Sequence, residues 1–291
     1  MTPTAVVAHL EIEIGPQGAP RVLADAIEFA LSNHFGASLL AASERAFELL
    51  PKIKRIITDR HSKCEDKGTS AALTITGSTG DIVCGAYYIM ALDDVPTTRA
   101  KKNRAHVNDL HKTLKDLTFS EFEKFGERIL FELGAGYAKV SPHSNDQGID
   151  FFGKFNFGEF HGLPKPFYKL AHDVNLLFAG QAKHYPDRAL GPNIVRELIG
   201  AVSLARTKTH SKDGLDLFED LEIRPFSPVV ALLFTTGNLS SGAIHLAASA
   251  GMIAKDGQQL AAFLADQGIG IIDDSGVSRF DKTEFLSWLN A

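Results

Sequence analysis

Two short stretches of the chain hold side chains that can do chemistry together. "SNDQGIDFFGK" (144–154) places one carboxylate, Asp150, directly after Gly148 and Ile149, and "FAGQAKHYP" (178–186) places an amide and an ammonium, Gln181 and Lys183, two positions apart. Side chains alternate along a strand, so Gln181 and Lys183 point the same way if their segment is extended. A carboxylate, an amide oxygen and an ammonium brought to one place suit hydrolysis of a phosphodiester. Asp150 is a ligand type for Mg²⁺, a hard cation that prefers oxygen, neutralises charge on a phosphate and activates water. Lys183 is suited to orienting that water, or to taking its proton if desolvated, and Gln181 adds a neutral oxygen.

Either stretch alone says little. Turns that enter strands are rich in Asp and Gly, and a lone lysine is usually an exposed one. The elements around them must therefore be regular enough to bring the two together. "TFSEFEKFGERILFELG" (118–134) predicts a helix with Phe119, Phe122, Ile129, Leu130 and Leu133 on one face and a stop at Gly134. Strands are predicted at "GYAKVS", "GIDFFG", "VNLLFAGQAK" and "PVVALLFTTG". A helix opened by Pro192, "PNIVRELIGAVSLART", falls between the last two, and another, capped by Ser240 or Ser241, follows them. Helix, three strands, helix, strand, helix is the order of an α/β domain with a mixed central sheet flanked by helices.

The first 95 residues read as a smaller α+β module. Two amphipathic helices are predicted between 19 and 57, the second ended or kinked by Pro51, and a hairpin follows through "GSTGD". Helices followed by a hairpin suggest a winged-helix DNA-targeting module, although no recognition helix stands out. Residues 96–116 are polar and basic, with fading periodicity, and are expected to be a linker. Residues 117–291 then form the second domain with a C-terminal extension.

Composition bounds the class. Hydrophobic residues make up 44% and charged residues 22% of the 291, as in ordinary globular proteins. No apolar run has the length of a bilayer span and no secretory signal opens the chain, so a cytoplasmic protein without a membrane partner is expected. Cys64 and Cys84 have no disulfide or zinc spacing around them and read as free thiols. A net charge of −5 excludes nonspecific coating of nucleic acid but leaves room for a local basic face. One such cluster contains Lys52, Lys54, Arg55, Arg60 and Lys63; the other contains Arg99, Lys101, Lys102, Arg104 and Lys112. Each is either a solvated face or a phosphate contact.

The motifs also carry a resemblance. "FEKFGERILFELGAGY", "DQGIDFFG", "GQAKHY", "GPNIVRELIGAV" and "LLFTTGNLSSGAIHLAASAG" occur in the order and character of the Mrr-like branch of the PD-(D/E)xK restriction endonuclease superfamily, over about residues 117–265. The resemblance implies a PD-(D/E)xK-type sheet, DNA as substrate and Mg²⁺ as cofactor. It matches Glu123 to the family's helix acid, Asp150 to its metal-binding aspartate, and Gln181 and Lys183 to its Gln-x-Lys pair. Asp150, Glu123 and the backbone carbonyl of Ala182 are then the expected metal ligands.

Competing readings accompany these assignments. Glu123 has the spacing of a capping-box partner for Ser120. Asp146 is either a functional acid or an ordinary turn residue. His184 and Tyr185 follow the motif and are expected near phosphate. The stretch between Asp150 and Lys183 is longer and more aromatic than a hairpin connection; over 152–175 it offers Lys165 and Lys169 to DNA, or a packed surface for a homodimer. The expected function is a Mg²⁺-dependent DNA endonuclease in restriction or phage defence. The alternatives are a noncatalytic DNA-binding protein that keeps the fold, and an interaction scaffold that touches no nucleic acid.

Overall fold

The structure is a computed structural model that describes residues 2–141, 148–159, 164, 166, 169, 173–207, 219–221, 223, 226–274 and 276–291. Asp146 and Lys165 lie outside the described residues. The chain divides into two compact units, one of Met1–Leu110 with Ala261–Glu284 and one of His111–Leu260 with Phe285–Ala291.

The first unit opens with a helix absent from the sequence reading. Thr2 caps α1 (Pro3–Ile14), Pro3 sits in its first turn, and Val6, Val7, Leu10 and Ile14 bury one stripe. Helices α2 (Leu23–Asn33) and α3 (Leu39–Lys67) complete the core, α3 contributing Ala42, Ala46, Leu49, Ile53 and Ile57. Pro51 does not end α3, which runs through it for 29 residues. The proline is exposed, and the buried stripe continues on both sides of it, so tertiary burial outweighs the local cost of the missing hydrogen bond. The expected hairpin is formed by β2 (Leu73–Thr76) and β3 (Ile82–Gly85), with the two-residue β1 (Arg21–Val22) on the other edge of β3.

The stretch expected to be a linker is helical. Asp94 caps α4 (Val95–Arg104), and α5 (Val107–Asp116) follows it. The apolar content of α4 is too low to register as a periodic stripe, which is why it reads as a linker in sequence. The C-terminal extension also differs from expectation. The end of α9 (Gly257–Gln267) and the hairpin β9 (Ile271–Asp274) and β10 (Val277–Phe280) belong to the first unit. They are held there by polar contacts: Arg104 makes a bidentate pair with Asp266 at 2.6 and 2.8 Å, Lys102 donates to Gly276 O at 2.8 Å, and His106 Nε2 lies 2.8 Å from Ser278 Oγ.

The second unit is the expected mixed sheet flanked by helices. Its five strands stand in the order β4 (Tyr137–Val140), β5 (Phe151–Asn156), β6 (Asn175–Lys183), β7 (Val229–Thr235), β8 (Ile253–Lys255). Pairings among β4, β5 and β6 are antiparallel, and those of β6 with β7 and β7 with β8 are parallel. On one face, Phe152, Leu177, Ala179 and Leu233 pack with Val195, Leu198, Ala201 and Ala205 of α7 (Pro192–Arg206) and with Ala243 and Ala247 of α8 (Ser241–Ser249). Phe151, the next residue along β5, points the other way, toward α6 (Phe119–Glu132). The buried residues of α6 are Phe122, Phe125, Gly126, Ile129 and Leu130, whereas Phe119 and Leu133 are largely exposed. Helix α10 (Lys282–Leu289) ends in this unit, where Trp288 Nε1 donates to Glu132 Oε1 at 2.7 Å. Among the described residues, no helix is long and apolar enough to cross a membrane.

Candidate active site

The structure brings Asp150 and the Gln-x-Lys segment together. Asp150 is 6% exposed, and its Oδ2 accepts a hydrogen bond of 2.7 Å from the N–H of Ala182, the residue between Gln181 and Lys183. Its own N–H donates to Gly180 O at 2.8 Å, and its carbonyl accepts from Ser141 N at 2.8 Å. Asp150 is thus tied to both neighbouring strands just where β5 begins, and the long excursion from 157 to 174 leaves that register intact.

The entry to β5 is irregular in a way that sets the carboxylate. Gly180 pairs with Phe151 in the ladder yet also accepts the N–H of Asp150, so two residues on one strand oppose one on the other. Ile149 and Phe152, three positions apart, both join the cluster beneath α7, which a regularly alternating strand forbids. This is a bulge, a device that re-aims one side chain. Glycines make it fit. Gly148 adopts φ +84°, and the ring of Phe151 fills the space beside Gly126 and Gly180, where added Cβ atoms would stand 2.3 and 2.1 Å from ring carbons.

Gln181 and Lys183 share the α7 face, as alternation predicts. Gln181 is 2% exposed, and its Oε1 is buried with no hydrogen-bond donor. Its Nε2 and the Cβ of Ala201 are the atoms that an added Cβ on Gly148 would meet, at 3.8 and 3.5 Å. Lys183 is half-buried at the end of β6 opposite Thr235, and its ammonium makes no ion pair among the described residues. Its carbonyl accepts from Tyr185 N at 3.1 Å and Thr236 N at 3.4 Å, which fixes the strand end.

Glu123 stands on α6, the helix packed over β4, β5 and β6, half-buried with one carboxylate oxygen shielded from solvent. It is not the capping acid. Thr118 caps α6 and pairs reciprocally with Glu121, so the Ser120–Glu123 spacing was a coincidence of composition. His184 packs edge-on against Phe119 and Phe122 at centroid distances of 5.2 and 6.0 Å, and its Nε2 is 3.2 Å from Lys115 O. That is a packed ring rather than an open phosphate contact. Tyr185 remains 36% exposed beside Arg188, and Lys169 is exposed.

Lys101, Lys102 and Arg104 do not form an open cationic face. Lys101 pairs with Asp93 at 2.7 Å, Lys102 with Asp273 at 3.6 Å and Arg104 with Asp266 at 2.6 Å, all within the first unit. For Lys102 and Arg104 the partner acids lie more than a hundred positions away, where sequence does not pair them.

Several groups near the centre were missed. Ser141, 3% exposed and bonded through its backbone to Asp150, has a buried hydroxyl without a partner. Thr236, fully buried at the end of β7, has another. The Nε2 of His111 lies 3.4 Å from Thr236 O, and burial holds its imidazolium pKa below the ordinary value. Glu127, one turn beyond Glu123, has its carboxyl pushed up by burial against the opposing pull of Lys124 and Arg128. An acid four residues after Glu123 was the only signal available for it. Among the described residues, no three His, Cys, Asp or Glu side chains are gathered as a metal site. A cation here would draw part of its shell from amide, hydroxyl, backbone or water oxygen, as Mg²⁺ often does.

Residues 114–211 match a family model of the Mrr catalytic type, described as a restriction endonuclease. No curated protein matches the chain. Three solved structures are similar. The MspJI restriction endonuclease in complex with a 27-mer oligonucleotide is 19% identical with a TM-score of 0.36, covering 62% of this chain and 36% of that one. The DNA modification-dependent restriction endonuclease AspBHI is 16% identical at 0.38, covering 69% and 43%. The restriction endonuclease FokI bound to DNA is 11% identical at 0.35, covering 91% and 44%. The chain therefore spans less than half the length of each.

Proposed function

We propose that this chain, whose residues 114–211 match the restriction endonuclease family, is a Mg²⁺-dependent DNA endonuclease of the restriction type, serving restriction or phage defence. The observation that carries the reading is the bond between Asp150 Oδ2 and Ala182 N, which unites the carboxylate with the Gln-x-Lys segment.

The donor set fits the cation. By the family match Asp150 and Glu123 would supply carboxylate oxygens and Ala182 a backbone oxygen, and a cation or donor would offset the burial of the partnerless Gln181 Oε1 and Ser141 Oγ. When bound, the metal supplies neutralisation of phosphate charge and a more acidic water. The chain's own residues do the rest. The Ala182 N–H holds the Asp150 carboxylate in fixed geometry at the entry to β5. Lys183 holds a positive charge at the strand end, where it steadies the phosphate and orients the attacking water. Gln181 adds a buried, uncharged oxygen on the same face as Lys183. Such preorganised electrostatics commonly contribute ~10²–10³ in rate per group.

The test is cleavage of plasmid DNA, modified and unmodified, with Mg²⁺ or EDTA. Metal-dependent linearisation or nicking by wild type is expected. Intact plasmid under every metal and modification state, with the protein folded and bound to DNA, would instead favour noncatalytic binding.

A further inference from the structure

The first unit contains a cavity of about 480 Å³ between α4 and the β9–β10 hairpin. Its walls are polar and, in one respect, unbalanced. Asp93 is bonded to Lys101, and Asp273 faces Lys102 and accepts from Gly276 N at 2.8 Å. Ser278 is bonded to His106 and to Lys102 O. Two lining residues are left over. Arg99 makes no ion pair or side-chain hydrogen bond among the described residues, and neither does the amide of Asn103, although Asn103 is only 8% exposed. Arg99 and Asn103 lie four apart on one face of α4. Their donor ends converge on the bare Cα of Gly268, where an added Cβ would meet Asn103 Nδ2 at 3.4 Å and Arg99 Nη2 at 3.9 Å.

We infer that this cavity binds a phosphodiester of the DNA substrate, with Arg99 and Asn103 donating to its oxygens. The inference rests on the DNA reading above. One unneutralised guanidinium matches a group carrying one negative charge, and the Asn103 amide beside it adds a neutral donor. The volume lies in the range of small-ligand sites, which leaves room for the attached sugar. The hairpin that closes the cavity is held by Lys102 and His106, and the helix α9 before it by Arg104, so those side chains build the pocket while Arg99 and Asn103 face into it.

The test is binding of a fluorescent duplex in EDTA over a range of KCl, with melting temperature as the folding control. Arg99 is exposed and unpaired, so Arg99→Ala should fold normally, bind about tenfold more weakly, and flatten the slope of log K against log[KCl] by about 0.9, one phosphate. Asn103→Leu should weaken binding without changing the slope, because a neutral donor releases no counterion. The dinucleotide TpT is the probe for a free nucleotide as the source of the anion. Wild-type affinity and slope in folded Arg99→Ala protein overturn the inference, whether or not wild type cleaves with Mg²⁺. TpT binding that Arg99→Ala abolishes, with the duplex slope unmoved, overturns the duplex assignment in favour of a free nucleotide. A wild-type protein that binds no duplex overturns both this inference and the DNA reading.

Discussion

The ring of Phe151 occupies the space that a side chain on Gly180 would need: an added Cβ would stand 2.1 Å from Phe151 Cζ. Phe151 directly follows Asp150, and Gly180 directly precedes Gln181, so this contact sets the spacing of the two strands that carry the candidate site. Gly180→Ala should therefore destabilise the second unit by about 1–3 kcal/mol through overpacking. It should also lower cleavage by more than the loss of folded protein explains. Urea denaturation and cleavage on one preparation check this; unaltered stability would mean that the ring moves aside freely.

Gln181 offers a sharper separation of fold from function. Its Oε1 has no donor, so Gln181→Met removes no hydrogen bond from that oxygen and replaces a buried polar group with an apolar one of similar length. The melting temperature without metal should hold or rise, while Mg²⁺-dependent cleavage falls by roughly 10²-fold. A large loss of metal-free stability would assign Gln181 to the core instead.

Much of this centre was legible in sequence because its parts are local. Gln181 and Lys183 sit in a strand marked by an apolar run, Asp150 immediately precedes another, and the glycines beside them mark close approaches. The mixed sheet followed from the same pattern. What sequence did not disclose depends on distant partners. Arg104 meets Asp266 and Lys102 meets Asp273, so a basic stretch that looked like an open linker is a helix clamped to the returning C-terminal segment. Ser141 and Thr236 are inconspicuous types whose importance lies only in burial without a partner. The bulge at Asp150 leaves no pattern beyond the Gly-Ile-Asp turn.

The clamp gives a prediction opposite to that of a free phosphate-binding face. Arg104→Gln breaks a bidentate, partly exposed pair worth about 1 kcal/mol. The first unit's melting temperature should fall by roughly 2–4 °C. Differential scanning calorimetry reads this directly; an unchanged melt with weakened DNA binding would return Arg104 to the interface.

Glu127 should make stability depend on pH. Burial raises its carboxyl above the ordinary 4.5, so its contribution is fully present below the unfolded pKa and is lost as pH rises through the folded value. At neutral pH the ionised carboxylate costs stability. Glu127→Gln should therefore melt higher than wild type at pH 7, with the gap closing as pH falls below the carboxylate range. A gap that widens in acid would show that Glu127 is instead stabilised as the anion.

The central claim is that Asp150 and Lys183 form one hydrolytic centre, and cleavage measured beside DNA binding on the same folded protein tests it most directly. Asp150→Asn preserves shape while removing the charge that holds Mg²⁺, and Lys183→Ala removes the ammonium at the strand end. Each should lose cleavage by at least ~10²–10³, while binding in EDTA stays close to wild type because phosphate contacts elsewhere supply most of the affinity. Wild-type cutting by either folded variant would contradict the account.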